Sequence, residues 1–154
     1  MRSLGVLFFC SLFFGFLSAD SNCTKCSLNK DEMRCNYYVA KMGDSTKSKF
    51  CENYASYLSR TKVYGKAAWY YLLSKKPKEA IENAKKAVEM GENYAYEFIA
   101  DAYLIEGKLE EAEKNYKEFK KKVGNTKFFT SKNFKVLKNL YKNFDSKKAE
   151  SFLK

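Results

Sequence analysis

Apolar residues recur at helical spacing along most of the chain. Cys35, Tyr38, Val39 and Met42 form an i, i+3, i+4, i+7 stripe, and Cys51, Tyr54, Ala55 and Leu58 form a second. Tyr64, Ala67, Ala68 and Tyr71 continue the pattern, followed by Ala80, Ala84, Ala87 and Val88. Towards the end, Phe128 and Phe129 precede Val136, Leu137, Leu140, Tyr141 and Phe144 in a further amphipathic run. Breakers separate these runs: Gly43-Asp44-Ser45, Lys75-Lys76-Pro77, Glu106-Gly107-Lys108 and Gly124-Asn125-Thr126. The first holds a C-cap glycine and N-cap candidates, Thr61 is placed to cap the helix that follows it, and Asp145-Ser146 to cap a short last helix. The pattern predicts an all-α fold of seven or eight helices in antiparallel pairs, nearly continuous from Thr46 onward.

Two of these pairs are copies of each other. Displaced by 32 residues, Tyr64, Ala68, Tyr71 and Ala80 fall on Tyr96, Ala100, Tyr103 and Ala112. Lys76, Glu79, Asn83 and Lys85 likewise fall on Lys108, Glu111, Asn115 and Lys117. A period of this size marks one supersecondary unit stacked on itself. Here the unit is a helix, a tight turn and a second helix, with Ala68, Ala80 and their copies where the helices come close. The order of aromatic, small residue, Tyr, turn and Glu-Ala, clearest in 94–122 and weaker in 61–91, resembles the tetratricopeptide repeat. The proline that often closes that family's unit is absent, with Met90-Gly91-Glu92 and Val123-Gly124-Asn125 in its place.

The resemblance implies a helical-hairpin solenoid that binds a protein or peptide along a concave groove. By family position, Lys62, Gly65, Trp69, Leu72 and Leu73 of the first unit and Tyr94, Glu97, Asp101, Leu104 and Ile105 of the second line that groove. Family members that clamp a chain-terminal carboxylate use Lys and Asn there, so Gly65, Trp69, Glu97 and Asp101 point away from that ligand. They favour a peptide or helix with an apolar anchor and a basic residue. The alternative is that Trp69, Leu72 and Leu73 pack against the N-terminal hairpin and leave no open groove.

The ends of the chain complete this organisation. Residues 1–19 carry Arg2, an apolar run from Leu4 to Leu17 and small residues before Asp20, the layout of a secretory signal peptide. The run is too short to span about 30 Å of hydrocarbon, although an uncleaved anchor is the alternative. Export, to a periplasm or to the outside, makes the cysteines candidates for disulfides. Four remain after cleavage: Cys23, Cys26, Cys35 and Cys51. In a helical hairpin over 20–59 folded at Gly43, Cys35 and Cys51 stand at the same height in the buried seam. That favours Cys35–Cys51 with Cys23–Cys26, though three connectivities are compatible with four cysteines. Residues 60–125 hold the two repeats, and 126–154 form capping helices that close the stack.

Charge and chemistry narrow the function. The chain has no histidine, which removes Ser-His and Cys-His nucleophile pairs and His-ligated metals. The reading is therefore a non-enzymatic scaffold without metal or cofactor. The net charge of +11 comes almost wholly from lysine, and 14 lysines face 6 acids from Lys108 onward. An anionic envelope or membrane surface fits that excess, whereas the scarcity of arginine argues against nucleic acid. Two other functions stand as alternatives: thiol–disulfide exchange through Cys23 and Cys26, and binding to a membrane surface through the basic end.

Overall fold

The computed structural model describes the backbone of residues 19–154, and the side chains from residue 26 on apart from 128 and 129. The proposed signal segment therefore lies outside the described residues, apart from the backbone of Ala19. Everything described is helix or turn: α1 (Ala19–Arg34), a π-helical segment (Cys35–Lys41), a 3₁₀ turn (Ser45–Lys47), α2 (Ser48–Arg60), α3 (Tyr64–Leu73), α4 (Pro77–Glu89), α5 (Ala95–Ile105), α6 (Leu109–Val123), α7 (Lys127–Leu140) and α8 (Ser146–Phe152). None of these helices is long and apolar enough to cross a membrane.

From α2 to α6 each helix packs on the next, and α3 also meets α5. The four connecting turns share one geometry. A residue in the left-handed region ends each helix, at Lys62, Lys75, Gly91 and Gly107. The amide after it reaches five residues back: Val63 N to Leu58 O, Lys76 N to Tyr71 O, Glu92 N to Ala87 O and Lys108 N to Tyr103 O, each at 2.9 Å. This is the Schellman closure, which satisfies carbonyls that the helix end leaves orphaned. Lys75 and Gly107 are 32 residues apart, so the sequence period returns as a repeated backbone turn. It returns also in the side chains, where Asn83 and Asn115 each donate to the carbonyl four residues back at 2.8 Å. Ala68, Ala80, Ala100 and Ala112 are all fully buried, as their place at the closest helix approaches demands.

One cap differs from expectation. Thr61 does not start α3 but ends α2, its hydroxyl donating to the carbonyls of Tyr57 (3.0 Å) and Leu58 (3.1 Å), and Val63 takes the N-cap of α3. Asp145 does cap α8, its carboxylate accepting from the Lys148 amide at 3.0 Å. Pro77 stands in the first turn of α4, where its missing N–H costs nothing.

The N-terminal elements join this array along α2 and α3. Cys35 and Cys51, both fully buried, place their sulfurs at bonding distance, 2.06 Å, with Cα atoms 4.9 Å apart. Gly43 turns the chain between them in the left-handed region. The expected second bridge is not formed by Cys26, which is an exposed free thiol, and the side chain of Cys23 lies outside the described residues. A polar cluster ties α1 and the π-helical segment to α3. Lys66 pairs with Glu32 at 2.7 Å and donates to the Tyr54 hydroxyl at 3.0 Å. The Tyr70 hydroxyl donates to Glu32 at 3.2 Å and accepts from the Asn36 amide at 3.0 Å.

The C-terminal elements fold back over the array. α7 packs on α3, on the π-helical segment and on α8, and α8 returns to α6. Buried Phe134, Leu137, Leu140 and Phe144 make the apolar side of this return.

Candidate functional site

Of the residues assigned to a concave groove, Glu97 and Asp101 lie beneath a cover. α5 is one of the most apolar helices, yet it carries Glu97 and Asp101 one turn apart on its inner face. The two are 1% and 0% exposed, so neither sees solvent. Tyr116 of α6 donates its hydroxyl to Asp101 Oδ1. Asn133 of α7 donates its amide to Glu97 Oε1 at 3.0 Å. Asp101 Oδ2 is buried with no hydrogen-bond partner. Among the described residues no lysine or arginine pairs with either carboxylate.

This environment fixes the electrostatics. Burial, more than any other cause, pushes the Asp101 carboxyl well above its usual range, the neighbouring Glu97 charge adds to the rise, and the Tyr116 hydrogen bond opposes it. Burial likewise raises Glu97, against the pull of the Asn133 amide. Tyr116 is held protonated by its own burial and by the Asp101 charge, which keeps it a donor.

α7 and the segment after it close the face. The chain leaves α7 in an extended conformation at Tyr141, whose hydroxyl donates to Leu72 O at 2.6 Å, and Asn143 donates to Ile105 O at 2.5 Å. Leu72 lies in the last turn of α3 and Ile105 ends α5. The return segment therefore meets carbonyls at the ends of both helices, that of Leu72 accepting also from Lys75 N at 3.1 Å. The ring of Phe134 packs edge-on against Tyr116 with centroids 6.0 Å apart.

The ten groove residues read from the sequence separate by exposure, with Leu73 and Ile105 in the core. Leu72 and Leu104 are core, and Glu97 and Asp101 are buried under α7. Trp69 and Tyr94 are half-buried at the rim, each with its ring near Phe98, at 5.8 and 5.9 Å. Lys62 is exposed in the left-handed turn before α3 and lines nothing. Gly65 holds the rim together, because a Cβ there would run into the Tyr94 hydroxyl and the Glu92 carboxylate, which hydrogen-bond each other. The C-terminal helix covers part of this face, and α3 packs also on α2 and the π-helical segment of the N-terminal hairpin.

Sequence reasoning missed a second concavity. A cleft of about 590 Å³ opens between α4, α5 and α6, with Tyr96 and Tyr103 among its lining and Lys85, Glu89, Glu111 and Lys114 around them. Both tyrosines belong to the repeat pattern, so their spacing on α5 was visible, but nothing in it distinguishes a cleft wall from core. Its mixed charges select no ligand chemistry. Comparison of the chain with family models, with curated proteins and with solved structures gives no match.

Proposed function

We propose that the chain is an exported, non-enzymatic interaction scaffold of the tetratricopeptide-like kind, which binds a peptide or protein partner across the inner faces of α3 and α5. The observation that carries this reading is the occupancy of that face by an amphipathic helix. Two helix pairs with the same turn, 32 residues apart, build a surface on which α7 lies as a guest helix lies in a groove. A surface that already takes a helix of the same chain has the shape and the polar contacts for a helix of another. Trp69 and Tyr94 form the accessible rim, where a partner makes first contact. The missing histidines support the non-enzymatic part of the reading. The apolar Leu4–Leu17 segment supports export to a periplasm or to the outside, where the Cys35–Cys51 pair is kept oxidised.

Photo-crosslinking tests the binding face. A photoreactive residue at position 94, on the rim, is expected to give a discrete adduct in the native exported fraction. Excess peptide of residues 127–144 should compete that adduct away. Adducts that form only from position 114, in the outer cleft, or that the peptide leaves untouched, would reject the inner face as the binding surface.

A further inference from the structure

α7 meets the buried carboxylates with the wrong group. It carries Lys127, Lys132, Lys135 and Lys138, and all four are exposed. The residue it presents to Glu97 is Asn133, a neutral amide. Asp101 Oδ2 meanwhile is buried with no donor among the described residues. Burying carboxylates is costly unless a cation or several hydrogen bonds compensate them, and here each receives one hydrogen bond from a neutral group. The titratable groups acting on the pair are the two carboxyls and Tyr116 from α6. α7 contributes the Asn133 amide, and no charged group of α3 or α4 pairs with either acid.

We infer that Glu97 and Asp101 form a recognition site for a lysine or arginine carried by a partner's amphipathic helix, and that α7 holds the site in the resting chain with Asn133 in the place of that cation. The inference rests on the inner-face reading above and names its ligand. A basic side chain entering beside Asn133's position meets two carboxylates in a site of low dielectric, with one oxygen free to accept. Charge complementarity of this sort supplies specificity, because a helix lacking the cation leaves the acids uncompensated. The apolar positions of α7, Phe134 and Leu137, mark where such a helix places its anchors. The resting cover is self-limiting, since α7 competes at the high effective concentration of a tethered segment but with the poorer group.

The site also makes the cover sensitive to pH. While a proton compensates the acids, α7 and Asn133 suffice, but once both ionise only a cation satisfies them. Competition by a basic helix therefore strengthens as pH rises through about 7, where Glu97 loses its proton.

The test uses the full chain and two synthetic peptides of residues 126–145, one natural and one with Asn133→Lys, with binding read by fluorescence anisotropy at pH 8. The lysine peptide is expected to bind at least tenfold tighter than the natural one to the native protein. On the Glu97→Gln, Asp101→Asn protein the two peptides should bind alike. In parallel, Asn133→Lys within the chain should raise the melting temperature at pH 8 and flatten its dependence on pH, again only when both acids are present. Equal binding of the two peptides, binding of neither, or a lysine advantage that survives loss of the acids overturns the inference. So does an Asn133→Lys chain that melts below the native one at pH 8. None of these results depends on the crosslinking from position 94, so failure of this site and failure of the inner-face reading are told apart.

Discussion

Two polar clusters built from similar parts hold the two ends of this chain to its helical array, and they behave in opposite ways. At the N-terminal side, Lys66 binds Glu32 and Tyr54, and Tyr70 links Glu32 to Asn36. At the C-terminal side, Glu97, Asp101, Tyr116 and Asn133 surround no cation. Each has carboxylate, tyrosine and amide, and the lysine decides the difference. Burial works to raise Glu32, but hydrogen bonds from Lys66 and the tyrosines, with the lysine charge, bring it below its ordinary value. The same acid chemistry without a cation is pushed the other way at Glu97 and Asp101. Tyr70 is pushed up to about 12, mainly by burial. A cluster with its countercharge inside is complete, whereas one without it is a site for something else.

The largest effect separating the two sides should come from packing. Phe134 is 3% exposed and touches Tyr116 and Phe144, so Phe134→Ala should cost about 3–5 kcal/mol in the docking of α7. Thermal melts should show the loss, with α1, α2 and their cluster left intact.

The pH dependence of the two sides should have opposite signs. Glu97 is raised to about 7 and Asp101 is raised as well, so in the folded chain both bind protons more tightly than when unfolded. The Glu97 contribution is fully present below its unfolded value, about 4, and is lost as pH rises through about 7, and the raised Asp101 contributes with the same sign. Glu32, being lowered, contributes above the unfolded value and loses its contribution as pH falls through the folded one. Melts from pH 4 to pH 9 should therefore fall on the alkaline side. Glu97→Gln with Asp101→Asn should remove that fall and gain on the order of 1–3 kcal/mol at pH 8, because a charged group no longer sits buried without compensation. An unchanged alkaline slope in that variant would place its origin elsewhere.

The smallest effect belongs to the complete cluster. Lys66 is 45% exposed, so water screens its pair with Glu32. Lys66→Met should cost roughly 0.5–1 kcal/mol at pH 7 and nothing measurable below the range where Glu32 is ionised. A loss as large as that of Phe134→Ala would show that the two clusters are not as different as described.

Much of the helical array was legible because its signals are local. The 32-residue period, Gly107 after its stripe and the closely spaced alanines all lie within single units, and the Cys35–Cys51 pairing followed from two stripes and Gly43. Other features had no local signature. Lys75 takes a left-handed conformation that Gly107 takes in the other copy, and a lysine does not announce it. The π-helical turn of 35–41 keeps Cys35 and Val39 inward at a spacing an α-helix also allows. Thr61 was misread because its hydroxyl serves a helix start or a backward bond to carbonyls equally well. Glu97 and Asp101 fall on the groove by family position, and nothing in their own unit signals that they are covered. Their cover, α7, is supplied by a segment some thirty residues further along, and among the described residues the Asn133 amide hydrogen-bonds Glu97. The occupant of a surface is a long-range fact, and a single unit's pattern does not encode it.

The central claim is that α7 is an occupant of the inner face and not part of the array beneath it. Native-state hydrogen exchange at pH 6 and pH 8, corrected for intrinsic rates, measures this directly through the amides of α7 against those of α3 to α6. The account predicts that α7 opens separately, with lower protection than α3 to α6, and that its protection falls further at pH 8 while the ratio among α3 to α6 stays constant. Exchange of α7 only through the same global opening as α3 to α6, at both pH values, would contradict it.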